Sequence, residues 1–187
     1  MPMRDLPPDL AKLSLDDVEA AFAARKLPPV ERWNPPHRGH SEMRIAADGR
    51  WFHQGGEIKR PAMVQLFSTI LRREDDGSYV LVTPAEKLII DVEDAPFVAV
   101  EVKSEGTGAA RKLGFRLNTD ELLIAGADHA IRIETTGEDV RPYLHVRKGL
   151  DARIGRATWY EIAEWAIEDG GEPPAIWSSG MCFRLVS

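Results

Sequence analysis

The stretch WFHQGGEIKR at 51–60 returns in altered form as YLHVRKGLDARIGR at 143–156. In both, an aromatic, a hydrophobe and a histidine lead through a glycine to an aliphatic residue and an arginine. A helical pattern follows each. After Arg60, residues Met63, Leu66, Phe67, Ile70 and Leu71 recur at i, i+3, i+4, i+7 and i+8; after Arg156, residues Trp159, Ile162, Ala163, Ala166 and Ile167 do the same. Such spacing puts one apolar stripe on a surface helix. The second set stands 96 positions after the first, and Arg60 and Arg156 share that offset. Two β-rich runs precede each helix and two follow it. The expectation is an α+β fold made by tandem duplication of a strand–strand–helix–strand–strand unit, with antiparallel sheets or partial barrels. Residues 43–93 and 130–186 would be the two copies, with helices near 61–74 and 157–168. Leu66, Phe67, Ile70, Trp159, Ile162 and Ile167 are the expected helix contributions to the core.

Working outward, Asp48-Gly49 lies between two short runs and predicts a hairpin, as does Thr119-Asp120 between LGFRLN and ELLIAG. YVLVT, KLIIDV and FVAVEVK are strand patterns parted by proline-containing turns, and EGTGAARK is a glycine-rich loop. Near the N-terminus, Ser14 with Asp17 forms an imperfect capping box, since Glu or Gln is usual at that third position. Leu13 and Val18 are placed as a hydrophobic staple, and the helix LDDVEAAFAARK follows. LPPVERWNPPHRGH carries two Pro-Pro pairs and reads as an extended, semi-rigid strap. The organisation expected is therefore an N-terminal helix and strap over 1–40, a first repeat unit over 41–104 and a second over 105–187.

Composition bounds the function. A net charge of −6 argues against a nucleic-acid or anionic-membrane partner drawn by the whole surface. The single cysteine, Cys182, excludes an intrachain disulfide, and no apolar run reaches the roughly 18 residues of a membrane span. No apolar core of a signal peptide stands at the N-terminus, so a cytoplasmic location is expected.

DGRWFHQGGEIKR, LFSTILRREDDGSYVLVTPAEK, VEDAPF and RPYLHVRKGLDARIGR resemble an uncharacterised proteobacterial family of domains of unknown function, over roughly residues 33–186. The resemblance implies a duplicated α+β fold whose second half is loosely similar to pleckstrin-homology domains. It also implies a site between the halves for a nucleotide-like ligand in signalling. It brings no catalytic residues with it.

The residues themselves supply three candidate clusters. From 141 to 156 the chain carries Arg141, Arg147, Lys148, Arg153 and Arg156 against Asp151, a local +4. Arg156, like Arg60 in the first copy, immediately precedes a helix, where free N–H groups and the dipole favour anions. The competing reading is a solvated face of surface ion pairs. Thr83 and Lys87 flank a proline turn and Asp94 precedes Pro96; they suit a ribose or phosphate, or serve only their own turns. Trp33 and Arg38, with His37, lie on the strap and can stack on a flat anionic ring, or Trp33 merely anchors the strap. The predicted constellation has Arg147 and Arg156 meeting Thr83 and Lys87 across the groove between units.

Other chemistries find less support. His37-x-x-His40 has metal-like spacing but no helix and no patterned Cys or acidic ligand, so no metal or cofactor is assigned. GTGAARK lacks the phosphate-loop frame, and there is no GxSxG elbow. The reading is a non-enzymatic sensor or adaptor that binds a small anionic, nucleotide-like ligand between its units. A protein–protein interaction module without ligand is the alternative, and a hydrolase acting on a nucleotide-like substrate the third.

Overall fold

The computed structural model describes residues 9–186. The capping box forms despite its aspartate: Asp17 N–H donates to Ser14 Oγ and Ser14 N–H to Asp17 Oδ2, both at 3.1 Å, opening α1 (Leu15–Ala24). Leu10, Leu15 and Val18 build a small core of their own against Leu122 and Ile124 of the second unit. A short 3₁₀ turn at Val30–Arg32 then leads the strap into the first sheet.

The first unit runs β1 (His37–Ile45), β2 (Trp51–His53), β3 (Gly56–Glu57), α2 (Pro61–Thr69), β4 (Leu71–Arg73), β5 (Tyr79–Val82) and β6 (Glu86–Val92). The second runs β7 (Phe97–Glu105), β8 (Lys112–Leu117), β9 (Leu122–Ile124), β10 (Ile131–Thr136), β11 (Asp139–Arg147) and β12 (Leu150–Ile154). It is followed by α3 (Arg156–Asp169) and the hairpin β13 (Ala175–Ser178) and β14 (Met181–Arg184). The sheet orders are β3-β2-β1-β6-β5-β4 and β10-β11-β12-β7-β8-β9. Counted from the start of each unit, the two are the same order: two three-stranded meanders joined through the first and last strands. That central pair, β1 with β6 and β7 with β12, is parallel; all other pairs are antiparallel.

The fold is thus α+β with a two-part repeated architecture, but the repeat has a different register from the expected 43–93 and 130–186. β1 begins at 37 and β7 at 97, so equivalent strands lie about 60 positions apart at the start of each unit. The two helices are not counterparts. In the first unit α2 links the third strand to the fourth; in the second, residues 125–130 make that link and α3 follows the sixth strand. Matching apolar phase could not reveal this, because every helix lying on a core shows the same 3.6-residue period. The boundary moves as well. β7, assigned by sequence to the first unit ending at 104, opens the second sheet, and the loop after it is the turn of the β7–β8 hairpin.

The helix stripes shift too. α2 stops at Thr69, so Ile70 caps it and Leu71 is buried as a strand residue. Its inner face is Val64, Phe67 and Ser68, while Leu66 is 64% exposed. In α3 the buried line is Thr158, Ile162 and Ala166, with Trp159 packed partly against the core and Ile167 70% exposed.

One continuous core spans both units, from Ile45, Trp51 and Ile90 to Phe97, Phe115 and Leu144. Trp51 stacks on Phe67, ring centroids 6.3 Å apart. The β1–β2 turn docks onto the second sheet: Asn118 Nδ2 donates to Gly49 O at 3.1 Å and its Oδ1 accepts from Val98 N–H at 3.0 Å. Gly49 has φ +88°, and a Cβ there would lie 2.7 Å from Asn118, so both conformation and space require glycine.

Candidate ligand pocket between the two units

The predicted quartet does not converge. Thr83 Oγ1 accepts from the N–H groups of Ala85 and Glu86, which makes it a turn residue. Lys87 lies 3.6 Å from Glu74 on the first sheet. Arg156 is exposed at the first position of α3, its guanidinium over the Tyr160 ring at 5.7 Å. Arg60 caps α2 through no side-chain bond, and its side chain is exposed. The matched arginines thus flank helices that are not equivalent.

Other predicted residues do meet, in pairs. Arg38 and Lys87 face each other in the parallel β1–β6 register and line a 660 Å³ groove, together with Glu74, Asp75 and Asp76. Asp94 and Arg156 line an 880 Å³ groove between the units. There Asp94 accepts from Tyr143 OH at 2.5 Å and from Arg153 at 3.2 Å. With Asp48, Glu138 and Asp139 beside it, that groove holds four carboxylates against Arg153 and Arg156. Neither groove favours an anion.

Arg147 sits differently. It ends β11 where the hairpin to β12 turns, and it crosses from the second unit to the first. One η nitrogen donates to Glu121 Oε1 at 2.9 Å, the other to Ser68 O at the C-terminal end of α2 at 2.7 Å, and the guanidinium lies over Phe97 at 5.2 Å. Glu121, in the β8–β9 turn, is 4% exposed at its side chain, and Arg25, just past α1, pairs with the same Oε1. Burial pushes both guanidiniums down to about 10, Arg25 also through its neighbour Arg147. Two arginines and one carboxylate therefore tie the N-terminal arm, the first unit and the second unit together at one point.

Beside this knot lies a cavity of 360 Å³. Its roof is the proline strap (Leu27, Pro28, Pro29, Val30), and its floor includes Leu71 of β4 and Leu150 of β12. The strap is held over it by buried Arg72, whose Nη1 donates to Val30 O and Trp33 O at 2.7 Å each while Glu74 accepts from its other side at 3.0 and 2.7 Å. Trp33 thus contributes its carbonyl to the anchoring of the strap. The charged groups at this cavity are Arg32, Arg147 and Lys148 against Glu31, which reaches Lys148 at 3.1 Å. Apolar walls with a basic excess suit a small molecule bearing a negative group, and the volume lies at the lower end of the roughly 300–1,000 Å³ typical of ligand pockets. Sequence reasoning placed Arg147 on an inter-unit site but missed Arg25, Arg32, Arg72 and Glu121. Nothing local marks them; they are brought to Arg147 or to the strap by contacts between distant segments.

The class defined by this fold is a two-unit α+β protein with its sheets repeated in order and a strap-covered pocket where the units meet. The chain belongs to the DUF1285 family: residues 28–95 match the model for the "Domain of unknown function (DUF1285), N-terminal domain", and 96–185 the model for the "Protein of unknown function (DUF1285), C-terminal domain". These spans meet between β6 and β7, where the sheets part. A crystal structure of a DUF1285 family protein from Silicibacter pomeroyi DSS-3 is similar at 44% identity and a TM-score of 0.78, covering 91% of this chain and 94% of that one. Another, from Shewanella baltica OS155, is similar at 26% identity and a TM-score of 0.52, over 70% of this chain and 93% of that one. No curated protein matches the chain. Among the described residues no helix is long and apolar enough to cross a membrane.

Proposed function

We propose that this protein is a non-enzymatic binding protein, a sensor or adaptor in the cytoplasm, whose ligand is a small organic anion seated beneath the proline strap. The observation that carries the reading is the basic excess of Arg32, Arg147 and Lys148 at an apolar-walled, inter-unit cavity. Arg147 is held rigid by Glu121 and Ser68, and those bonds take one hydrogen of each η nitrogen, so the guanidinium is oriented before any ligand arrives. Preorganised charged donors give the stronger hydrogen bonds. A nucleotide-like anion is the ligand class to try first.

The test is thermal-shift screening at low salt with inorganic phosphate, AMP, benzoate and hexanoate, followed by titration of any hit. Binding should weaken as salt rises. Lys148→Ala, an exposed position, should lower affinity about fivefold without changing the fold, in line with the loss of one surface-accessible charge contact of about 1 kcal/mol. If none of these anions raises the melting temperature, the reading fails and a module that only contacts other proteins takes its place.

A further inference from the structure

We infer that the outer face of α3 docks a basic, amphipathic helical segment of a partner protein, a contact separate from the pocket beneath the strap. Periodicity alone would bury Ile167, but it stands 70% exposed, and Tyr160, two turns earlier on the same face, is 54% exposed. Around them Glu161, Glu164 and Glu168 are exposed, and among the described residues none of the three has an ion-pair partner. Over 156–172 the chain carries five carboxylates against Arg156 alone, a local −4 in a chain of −6. Asp169 is already taken, since it accepts from buried Arg111 at 2.9 Å. Arg156 stays at the other end of the helix, its Nε donating to Tyr160 OH at 3.0 Å.

The placement of these charges works against α3 itself. A helix is stabilised by acids in its first turn and bases in its last, and α3 has neither. Its carboxylates instead run from the middle to the C-terminal end, where the backbone carbonyls already concentrate negative potential. Glu161 with Glu164, and Glu164 with Glu168, are like-charge neighbours three and four positions apart, which also disfavours the helix. A docked cation relieves both. The charge excludes nucleic acid and anionic lipid as the occupant. A second copy packed on this face about a two-fold axis would set carboxylates against carboxylates. Tyr160 and Ile167 call for apolar groups with matching separation, about 10 Å along the axis, which a polyamine lacks. A helix whose apolar stripe is flanked by Lys or Arg supplies both the apolar contact and the charge.

Fluorescence-anisotropy titration of the full chain at low salt tests this, with a labelled leucine–lysine peptide of helical apolar period, its scrambled isomer, and spermine as competitor. The amphipathic peptide is expected to bind about tenfold more tightly than the scrambled one and to lose affinity as salt rises. Ile167→Ser, at an exposed position, should weaken the amphipathic peptide about fivefold and leave the scrambled one unchanged, as the partial loss of one apolar contact gives. Glu168→Lys should weaken binding about tenfold while raising the melting temperature, because it suits the helix dipole and pairs with Glu164. A face that only keeps the protein soluble would show the gain in stability without the loss in binding. Equal binding of the two peptides overturns the proposal, as does displacement by spermine at equal charge, or an affinity untouched by Ile167→Ser or Glu168→Lys. A dimer in sedimentation that Ile167→Ser dissolves overturns it too and assigns the face to a second copy. The pocket beneath the strap is independent of these results, because Lys148→Ala reads it separately.

Discussion

The two sheets share one strand order, yet a helix enters each unit at a different point. In the first, α2 is inserted between the two meanders, and its C-terminal end comes to lie against the second unit, where Ser68 O meets Arg147. In the second, the meanders join directly and α3 follows the last strand, where it packs with β13 and β7. Ser178 ties that appendage down by accepting from Leu113 N–H at 2.9 Å and donating to Ala125 O at 2.7 Å. The sheets therefore carry the architecture, and the inserted α2 builds the seam. The cavity beneath the strap lies at this seam, lined by Thr69 at the end of α2, Leu71 of β4, and Arg147 and Leu150 of the second unit.

The sharpest way to break the comparison is at the seam itself. Glu121→Ala leaves Arg25 and Arg147 buried without their carboxylate and should cost about 3–5 kcal/mol in chemical denaturation. A loss under about 1 kcal/mol would mean that the units hold together without the knot. The core of α3 comes next. Ile162→Ala should cost about 2–4 kcal/mol and Ile167→Ala less than about 0.5, since only the former is buried. Equal costs would return α3 to the stripe expected from sequence.

The N-terminal arm provides a smaller effect. A Cβ at Gly114 would lie 2.4 Å from Leu15 Cδ2, so Gly114→Ala should loosen α1 at a cost of about 1–3 kcal/mol. Proteolysis should then cut the arm before the sheets, and an arm that stays protected would contradict its docking on β8 and β9. The smallest effect is alkaline. Burial holds the Tyr79 and Tyr143 hydroxyls above the ordinary tyrosine range, and the bond to Asp94 adds to it at Tyr143. A raised folded pKa gives stability that is present below the unfolded value near 10 and is lost as pH rises through the folded value. Tyr143→Phe should flatten the loss of stability above about pH 10; an unchanged slope would remove Tyr143 as a source.

Local signals carried well where the physics is local. The Asp48-Gly49 and Thr119-Asp120 hairpins form, and Ser14 and Asp17 cap α1. Duplication was legible as well, because alternating β runs come in two sets. Its register was not, since WFH and YLH are both strand patterns and the following helices share only the period that any core-facing helix has. The candidate site was legible to the extent of Arg147 and the strap. Thr83, Lys87 and Arg156 are equally basic or polar in sequence, but their turn, their sheet and their helix end carry them elsewhere.

Sequence by itself determined the α+β class, the repetition, the capped N-terminal helix and the basic character of 141–156, because turn propensity, periodicity and charge are properties of neighbours along the chain. Tertiary structure alone decided which strands pair in parallel, where one unit ends, and that Arg25, Ser68, Glu121 and Arg147 meet. Those contacts join residues far apart along the chain. Their formation depends on how sheets, helix and strap pack around a shared core, and no single segment encodes that.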